Sequence, residues 1–212
     1  MKRHWWYLTT GLLYIAIIAF TIWAYPALPE RVPSHWNIAG EIDAYSDPFT
    51  SSVFVPILTA VVAVLLIIIA QFEKNDIVAA ALVKMSTVIV GFMGAVHVVT
   101  TCIALGYPLV LERYLSISIG LLFIIIGRMM YDIPPNGFFG IRTFWTLSNP
   151  VVWKESHHIG SRWMVGAGVA TMVLAVLPIP AVFLMGGMLA AILVSVTVPM
   201  IYAYRRYHEL VS

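Results

Sequence analysis

The chain has 212 residues, of which 61% are hydrophobic and only 10% are charged. Soluble domains carry about 25% charged residues, so this composition excludes a soluble globular protein and predicts an integral membrane protein. A net charge of +2, without a run of Lys and Arg, argues against direct binding to nucleic acid. The single Cys102 permits neither an internal disulfide nor a cysteine metal cluster.

Six apolar stretches are long enough, or nearly so, to cross a hydrocarbon core, which takes about 20 helical residues. They cover residues 7–24, 53–70, 83–105, 115–130, 163–177 and 181–202. We therefore predict an all-α integral membrane protein of six transmembrane helices in a single membrane domain, 1–212. It divides into a first pair with its external loop (7–70), a second pair (83–130) and a last pair (163–202). Pro178-Ile179-Pro180 predicts the tight turn within the last pair, because Pro stops a helix.

Lys and Arg are distributed unequally between the alternating connectors. With the N-terminus in the cytoplasm, ten of them lie on the inner side, and only Arg31 and Arg113 lie outside. Cytoplasmic connectors of membrane proteins carry an excess of Lys and Arg. Both termini are therefore predicted to be cytoplasmic, with one long external loop at 25–52 and one long cytoplasmic loop at 131–162.

The external loop is rich in Pro, acidic residues and aromatic residues. Its four Pro predict a stiff, non-helical segment, and Gly40 permits a turn with positive φ. Trp36 and Tyr45 suit the membrane interface. The loop is interpreted either as a platform for a cationic or amphipathic partner or as a lid that packs over the bundle. His35 and Asp43 are too few to hold zinc, which takes three or four ligands, so no metal site is predicted.

The cytoplasmic loop combines turn residues, aromatic residues, an Arg and two His. Asn149-Pro150 predicts a helix start, with Asn as N-cap and Pro at the first helical position. A helix from there would carry Trp153, His157 and Gly160 along one face and can continue into the fifth span. The loop is interpreted either as a plug of the cytoplasmic mouth, anchored by Arg and Trp, or as a site for a partner or ligand.

Catalytic motifs are not evident in this loop. Glu155-x-His157-His158 lacks the spacing of a zinc-protease helix, and adjacent His residues point about 100° apart on a helix. The sequence contains neither a nucleophile elbow nor a phosphate-binding glycine loop. We therefore predict no catalytic residue, no metal and no cofactor.

His97 lies within the third span, near Thr100 and Thr101. An ionisable residue at this depth is a functional hypothesis by default. The alternative interpretation is a neutral His that is hydrogen-bonded to a neighbouring helix. A small-solute or ion transporter or channel would require a polar path from His97 to the cytoplasmic loop.

Two segments of the chain resemble a known family. The pattern Asn136…Phe139-Gly140-Ile141-Arg142-Thr143-x-Trp145-Thr146-Leu147…Val152-Trp153-Lys154…His157 resembles the signature of the SdpI-type immunity family of bacterial membrane proteins. The stretch Leu28-Pro29…Val32-Pro33-x-His35-Trp36…Gly40…Asp43 resembles the N-terminal domain of unknown function that accompanies it. Phe144 departs from the pattern, which often has Pro after the Thr.

This resemblance implies a multi-pass protein of the bacterial cell membrane that protects against a secreted toxin peptide outside the cell. It also implies toxin sensing, in which the toxin-bound protein holds a transcriptional repressor at the membrane, and contact with membrane lipids. The predicted external binding residues are Pro33, His35, Trp36, Gly40 and Asp43. The predicted residues of the cytoplasmic signature loop are Asn136, Phe139, Gly140, Arg142, Thr143, Trp145, Thr146, Trp153, Lys154 and His157. The alternatives are a small-solute or ion transporter or channel and a membrane-embedded metal-dependent enzyme.

Overall fold

A computed structural model describes residues 4–211. Six helices of this part of the chain are long and apolar enough to cross a membrane, which confirms the predicted fold class. They are α1 (His4–Ala24), α2 (Pro48–Phe72), α3 (Asp76–Ala104), α4 (Leu111–Met130), α6 (Pro150–Val176) and α7 (Ala181–Val211), and a short helix, α5 (Phe144–Ser148), precedes α6.

Several helices begin where a side chain satisfies their first free backbone N–H groups. The Asn149 side chain accepts hydrogen bonds from the N–H groups of Val151 and Val152, and Pro150 occupies the first turn of α6. The predicted start at Asn149-Pro150 is thus confirmed. Helix α6 continues without a break from there, so the predicted fifth span at 163–177 is only its second half, and the loop predicted at 131–162 ends at Asn149.

The external connector contains an antiparallel hairpin that the sequence analysis did not predict. Strand β1 (Val32–Trp36) pairs with β2 (Ile42–Ser46), with register irregularities around His35. Gly40 closes the turn at φ +82°, as its lack of a Cβ predicted. The Pro residues mask the strand pattern, because Pro is rare in strands except at sheet edges, and both strands here are edges.

The helices pack as two groups, α1–α3 and α4–α7. Helices α4 and α6 approach most closely at Gly120 and Gly168, where a Cβ on Gly168 would lie 2.5 Å from the Gly120 carbonyl oxygen. Small residues permit such close backbone approach in membranes, where burial of apolar surface offers little driving force between helices. The Pro178 turn then returns the chain from α6 to α7, as predicted.

The principal apolar core lies at one end of the bundle, beneath the loop that joins α4 to α6. It buries residues of α2, α3, α4, α6 and the α4–α6 loop, namely Ala70, Val78, Ala81, Leu82, Val83, Met130, Ile133 and Trp153. By contrast, many large apolar side chains of α1, α2 and α7 are exposed, as expected for helices that face lipid. The core therefore fixes the α4–α6 loop in place.

Candidate functional site

Trp153 and His157 of α6 form the support on which the α4–α6 loop packs. They lie one turn apart on α6, as predicted, with their rings stacked at 4.0 Å between centroids. The two side chains are 1% and 0% exposed, respectively. The Trp153 indole N–H donates to the Ile133 carbonyl at 2.8 Å, which ties α6 to the chain just after α4.

The hydrogen bonds of His157 determine its protonation. Nε2 accepts a hydrogen bond from the Ile141 backbone N–H at 3.0 Å, so this nitrogen carries no proton. Nδ1 lies 2.7 Å from the Trp153 carbonyl, which can only accept, so Nδ1 carries the proton. His157 is therefore a neutral imidazole with both nitrogens engaged inside the protein, and its geometry serves to hold the loop on α6.

Gly140 permits this contact between the loop and His157. Its φ is +116°, a region that residues with a side chain rarely adopt. A Cβ at this position would lie 2.2 Å from Nε2 of His157. Both the backbone conformation and the lack of space therefore require glycine.

Three polar residues of the signature use their side chains to shape the loop itself. Asn136 accepts from the N–H groups of Phe138 and Phe139 through Oδ1, and donates to the Pro134 and Phe139 carbonyls through Nδ2. Thr143 caps α5 in a reciprocal capping box with Thr146. These bonds satisfy backbone groups of the turn that would otherwise need water as a partner.

Thr146 is the best buried of the three, at 1% exposed. Its hydroxyl donates to the Ile141 carbonyl at 2.7 Å and accepts from the Thr143 N–H at 3.0 Å. Ile141 is thus held at its N–H by His157 and at its carbonyl by Thr146.

Other residues of the predicted cytoplasmic set face outward. Arg142 and Lys154 are exposed, and Arg142 lines a cavity of about 310 Å³ together with Phe139, Gly140 and Thr143. Trp145 is half-buried and packs edge-on against Tyr204 of α7, at 5.2 Å between ring centroids. The signature thus divides into an internal framework and a smaller outward-facing set.

The sequence analysis missed a polar connection between α6 and α7. The Glu155 carboxylate accepts hydrogen bonds from the Tyr202 hydroxyl at 2.9 Å and from Arg206 Nε at 2.8 Å. Glu155 is the only acidic residue of α6, a feature that would have pointed to a partner. The adjacent His158 instead stacks on Tyr131 at 4.1 Å, so His157 and His158 diverge as predicted.

The external hairpin places its predicted residues on two faces. His35 and Asp43 are exposed and hydrogen-bonded to each other, with Nδ1 donating to the carboxylate at 2.5 Å. Gly40 lies at the tip, beside Glu112 in the first turn of α4. Pro33 and Trp36 line a cavity beneath the hairpin.

This external cavity has a volume of about 560 Å³ and lies between the hairpin and the ends of α2, α3 and α4. Its lining is rich in aromatic rings and hydroxyl groups, including Trp36, Tyr45, Phe54, Ser34, Ser46, Thr50, Ser51, Ser52, Thr100 and Thr101. Most of these residues were not predicted, because they are far apart in the sequence. Thr100 and Thr101 were noticed only as neighbours of His97.

Asp47 holds the helix that forms one wall of this cavity. It is the N-cap of α2, and its Oδ1 accepts from the Thr50 N–H at 2.9 Å. Hydrogen bonds from Thr50 lower the pKa of Asp47, because they stabilise the charged carboxylate.

His97 is buried and bonded to a neighbouring helix, in agreement with the second interpretation of that residue. Its Nε2 lies 2.9 Å from the Thr21 hydroxyl of α1, and Phe20 packs edge-on against its ring. Further toward the core end, Ile17 and Val90 are packed together between α1 and α3. Among residues 4–211, no three His, Cys, Asp or Glu side chains are grouped closely enough to hold a metal ion.

Comparison with known proteins identifies the two segments. The model of the SdpI/YfhL protein family matches residues 132–203, and that of a domain of unknown function, DUF1648, matches residues 12–60. The chain is similar to the protein named Immunity protein SdpI from Bacillus subtilis (strain 168), with 26% identity over 187 residues, or 88% of each chain. No solved structure gave a significant match.

These matches include the framework around His157 and the external hairpin, which confirms the resemblance first found in the two connectors. With its six membrane-capable helices, the protein is a multi-pass protein of the bacterial cell membrane. The chain is therefore similar to the SdpI/YfhL protein family over residues 132–203 and to DUF1648 over residues 12–60.

Proposed function

We propose that this protein protects the cell from a secreted, membrane-active peptide by binding it at the external cavity. The observation that carries the proposal is the cavity itself, which lies beneath a hairpin and presents Trp36 and Tyr45 beside a group of hydroxyls. Ligand sites typically combine apolar and aromatic walls with a few polar groups in a concave shape. The similar protein from Bacillus subtilis is named an immunity protein, which supports this class of function.

Charge on the external connector favours a basic or amphipathic peptide. Residues 25–52 contain four acidic residues and a single Arg. Arg31 lies over the Tyr45 ring at 4.7 Å, and the four carboxylates outnumber it, so the field at the mouth is negative. Positive residues of a peptide would be attracted to this surface, and an apolar anchor would enter the cavity.

Orientation supports the same arrangement. The end of the bundle that carries the hairpin holds only Arg31 and Arg113 among the Lys and Arg, and the positive-inside rule supports an external position for it. Arg113 there donates to the carbonyls of Ala175 and Leu177 at the end of α6. Both termini then lie in the cytoplasm, with the α4–α6 loop.

We further propose that this loop transmits peptide binding to a transcriptional repressor in the cytoplasm. A partner would meet the outward-facing Arg142 and Lys154 and the exposed rings and chains around α5, since Phe144 is 69% and Leu147 is 49% exposed. The internal framework, including Trp153 and His157, would hold these groups in position.

Expression in a bacterial strain sensitive to such a peptide tests the proposal. We expect the wild-type protein to raise the inhibitory concentration of the peptide, and Trp36→Ala to remove most of that protection. Trp23→Ala is the matched control. Trp23 is 65% exposed at the end of α1 that leads to the hairpin, and it does not line the cavity. Equal loss in both variants, or no protection by the wild type, would contradict binding at this cavity.

The repressor step has its own test. Membrane fractionation of a co-expressed repressor, with and without peptide, is expected to show recruitment that Arg142→Ala weakens. Arg142→Ala is expected to leave protection unchanged if the external cavity and the α4–α6 loop act separately. Loss of protection without any change in recruitment would overturn the assignment of Arg142.

A further inference from the structure

A second cavity, of about 590 Å³, opens between α3 and α4 at the end of the bundle opposite the hairpin. This headgroup cavity, as we name it, has both charged and apolar walls. It is lined by Asp76, Ile77, Ala80, Ala81, Lys84, Arg128, Met129, Asp132 and Ile133. The cavity lies where the two helix groups meet, and Ile77 at its edge is 62% exposed.

The charges of the headgroup cavity are arranged in order of depth. Lys84 lies eight residues further into α3 than Asp76, or about 12 Å along the helix axis. Arg128 lies in the last turn of α4, and Asp132 follows it by four residues, about one turn closer to the bundle end. The cations are therefore the inner layer, and the carboxylates are the outer rim.

The two cations have no carboxylate partner within the described residues. Lys84 is half-buried, with its ammonium over the Trp6 ring at 5.5 Å, and Arg128 is exposed. No ion pair within 4 Å joins either cation to an acidic residue of 4–211. Lys84 and Arg128, beside one cavity, can together hold an anion, and phosphate oxygens suit both ammonium and guanidinium groups.

We propose that the headgroup cavity binds a phospholipid with a phosphoethanolamine headgroup. Lys84 and Arg128 would hold the phosphate, and Asp132 at the rim would accept hydrogen bonds from the terminal ammonium. In a bilayer the phosphate lies closer to the hydrocarbon than the ammonium, which matches the order of the charges in the cavity. The apolar residues Ile77 and Met129 then contact the acyl chains.

This arrangement distinguishes among lipid headgroups. Phosphatidylglycerol would satisfy the cations but has no positive group for Asp132. Phosphatidylcholine has a positive group that carries no N–H and cannot donate to a carboxylate. Phosphoethanolamine satisfies both layers of charge. The inference is independent of the proposed immunity function, because the headgroup cavity lies at the opposite end of the bundle.

Native mass spectrometry of the full-length protein in detergent, with equal amounts of the three lipids, tests the proposal. We expect phosphatidylethanolamine to be retained preferentially. Lys84→Ala and Arg128→Ala should each lower its retention roughly fivefold, the usual contribution of one cation near a lipid surface. Asp132→Asn should lower the preference for phosphatidylethanolamine over phosphatidylglycerol while leaving phosphatidylglycerol bound. Arg205→Ala, an exposed cation outside the headgroup cavity, should change nothing.

Thermal melting of each variant separates loss of the site from loss of the fold, and melting temperatures close to wild type support the interpretation of the lipid data. Equal or stronger retention of phosphatidylglycerol by the wild type would overturn the proposal. Competition by free phosphoethanolamine is the last measurement. We expect it to compete poorly, because it lacks acyl chains, and full competition would overturn the assignment to a lipid.

Discussion

The two connectors of this protein have similarly distinctive compositions, yet they use their side chains in opposite ways. Asn136 and Thr146 of the α4–α6 loop, and Trp153 and His157 of α6, bond to backbone groups of that loop. In the external hairpin, His35 and Asp43 bond to each other on an exposed face, and Trp36 lines an open cavity. A conspicuous motif can therefore encode a framework as readily as a binding surface.

The difference arises from what lies beneath each connector. The α4–α6 loop covers the principal apolar core, where an unpaired backbone group is costly, so its polar side chains bond to the loop's own backbone. The hairpin lies over a cavity and forms its backbone bonds between its own strands. Its side chains are thus available for a ligand.

The largest expected effect is that of Gly140→Ala in the cytoplasmic framework. The added Cβ would meet His157 at 2.2 Å while the backbone stays at positive φ, so we expect a loss of about 2–5 kcal/mol of stability. Thermal unfolding in detergent measures this loss. Gly137→Ala is the control, because no atom lies within 4 Å of its Cβ position. Similar melting temperatures for both variants would contradict the assignment of Gly140 to the internal framework.

Trp153→Phe is the next largest change. It keeps an aromatic ring but removes the N–H that bonds to Ile133, which leaves a buried carbonyl without its partner. We expect a loss of about 1–3 kcal/mol. Trp163→Phe on the same helix, at an exposed position, should melt as the wild type does. If both substitutions are neutral, the hydrogen bond does not stabilise the loop.

Changes to the exposed pair of the hairpin should have a much smaller effect on stability. His35→Ala and Asp43→Ala each remove one partner of a solvent-exposed contact, which contributes about 0–1 kcal/mol. We expect melting temperatures near wild type for both, together with altered protection against the peptide. A large loss of stability would show that the hairpin, like the cytoplasmic loop, is chiefly a framework.

The smallest expected effect concerns Asp47 at the wall of the external cavity. Its pKa is lowered in the folded protein, so its contribution to stability is present above the unfolded pKa and is lost as pH falls through the folded pKa. Asp47→Asn retains an N-cap but does not titrate. We expect the stability difference between the wild type and this variant to change only in acid, in melting curves recorded from neutral pH downward. A stability difference that changes as much near neutral pH as in acid would contradict titration of Asp47 as its cause.

Several features of the fold follow from local chemistry and were predicted. The Asn149-Pro150 start of α6, the turn at Pro178 and the positive φ of Gly40 each depend on the residues themselves. The hairpin was missed because Pro33 interrupts the strand pattern and because its pairing joins residues on both sides of a turn. The sequence also did not predict which signature side chains bond to the loop backbone and which are exposed. That depends on which backbone groups lie near each side chain in the folded protein.

The sequence by itself determined six membrane-crossing helices, the asymmetry of charge that predicts their orientation and the two motifs that carry the family resemblance. These properties depend on composition and spacing along the chain. Only the tertiary structure decided that Nε2 of His157 accepts from Ile141, that Glu155 binds Arg206 and that cavities lie beneath the hairpin and between α3 and α4. Those features require residues from distant segments to meet, and their distances are set by how the helices pack.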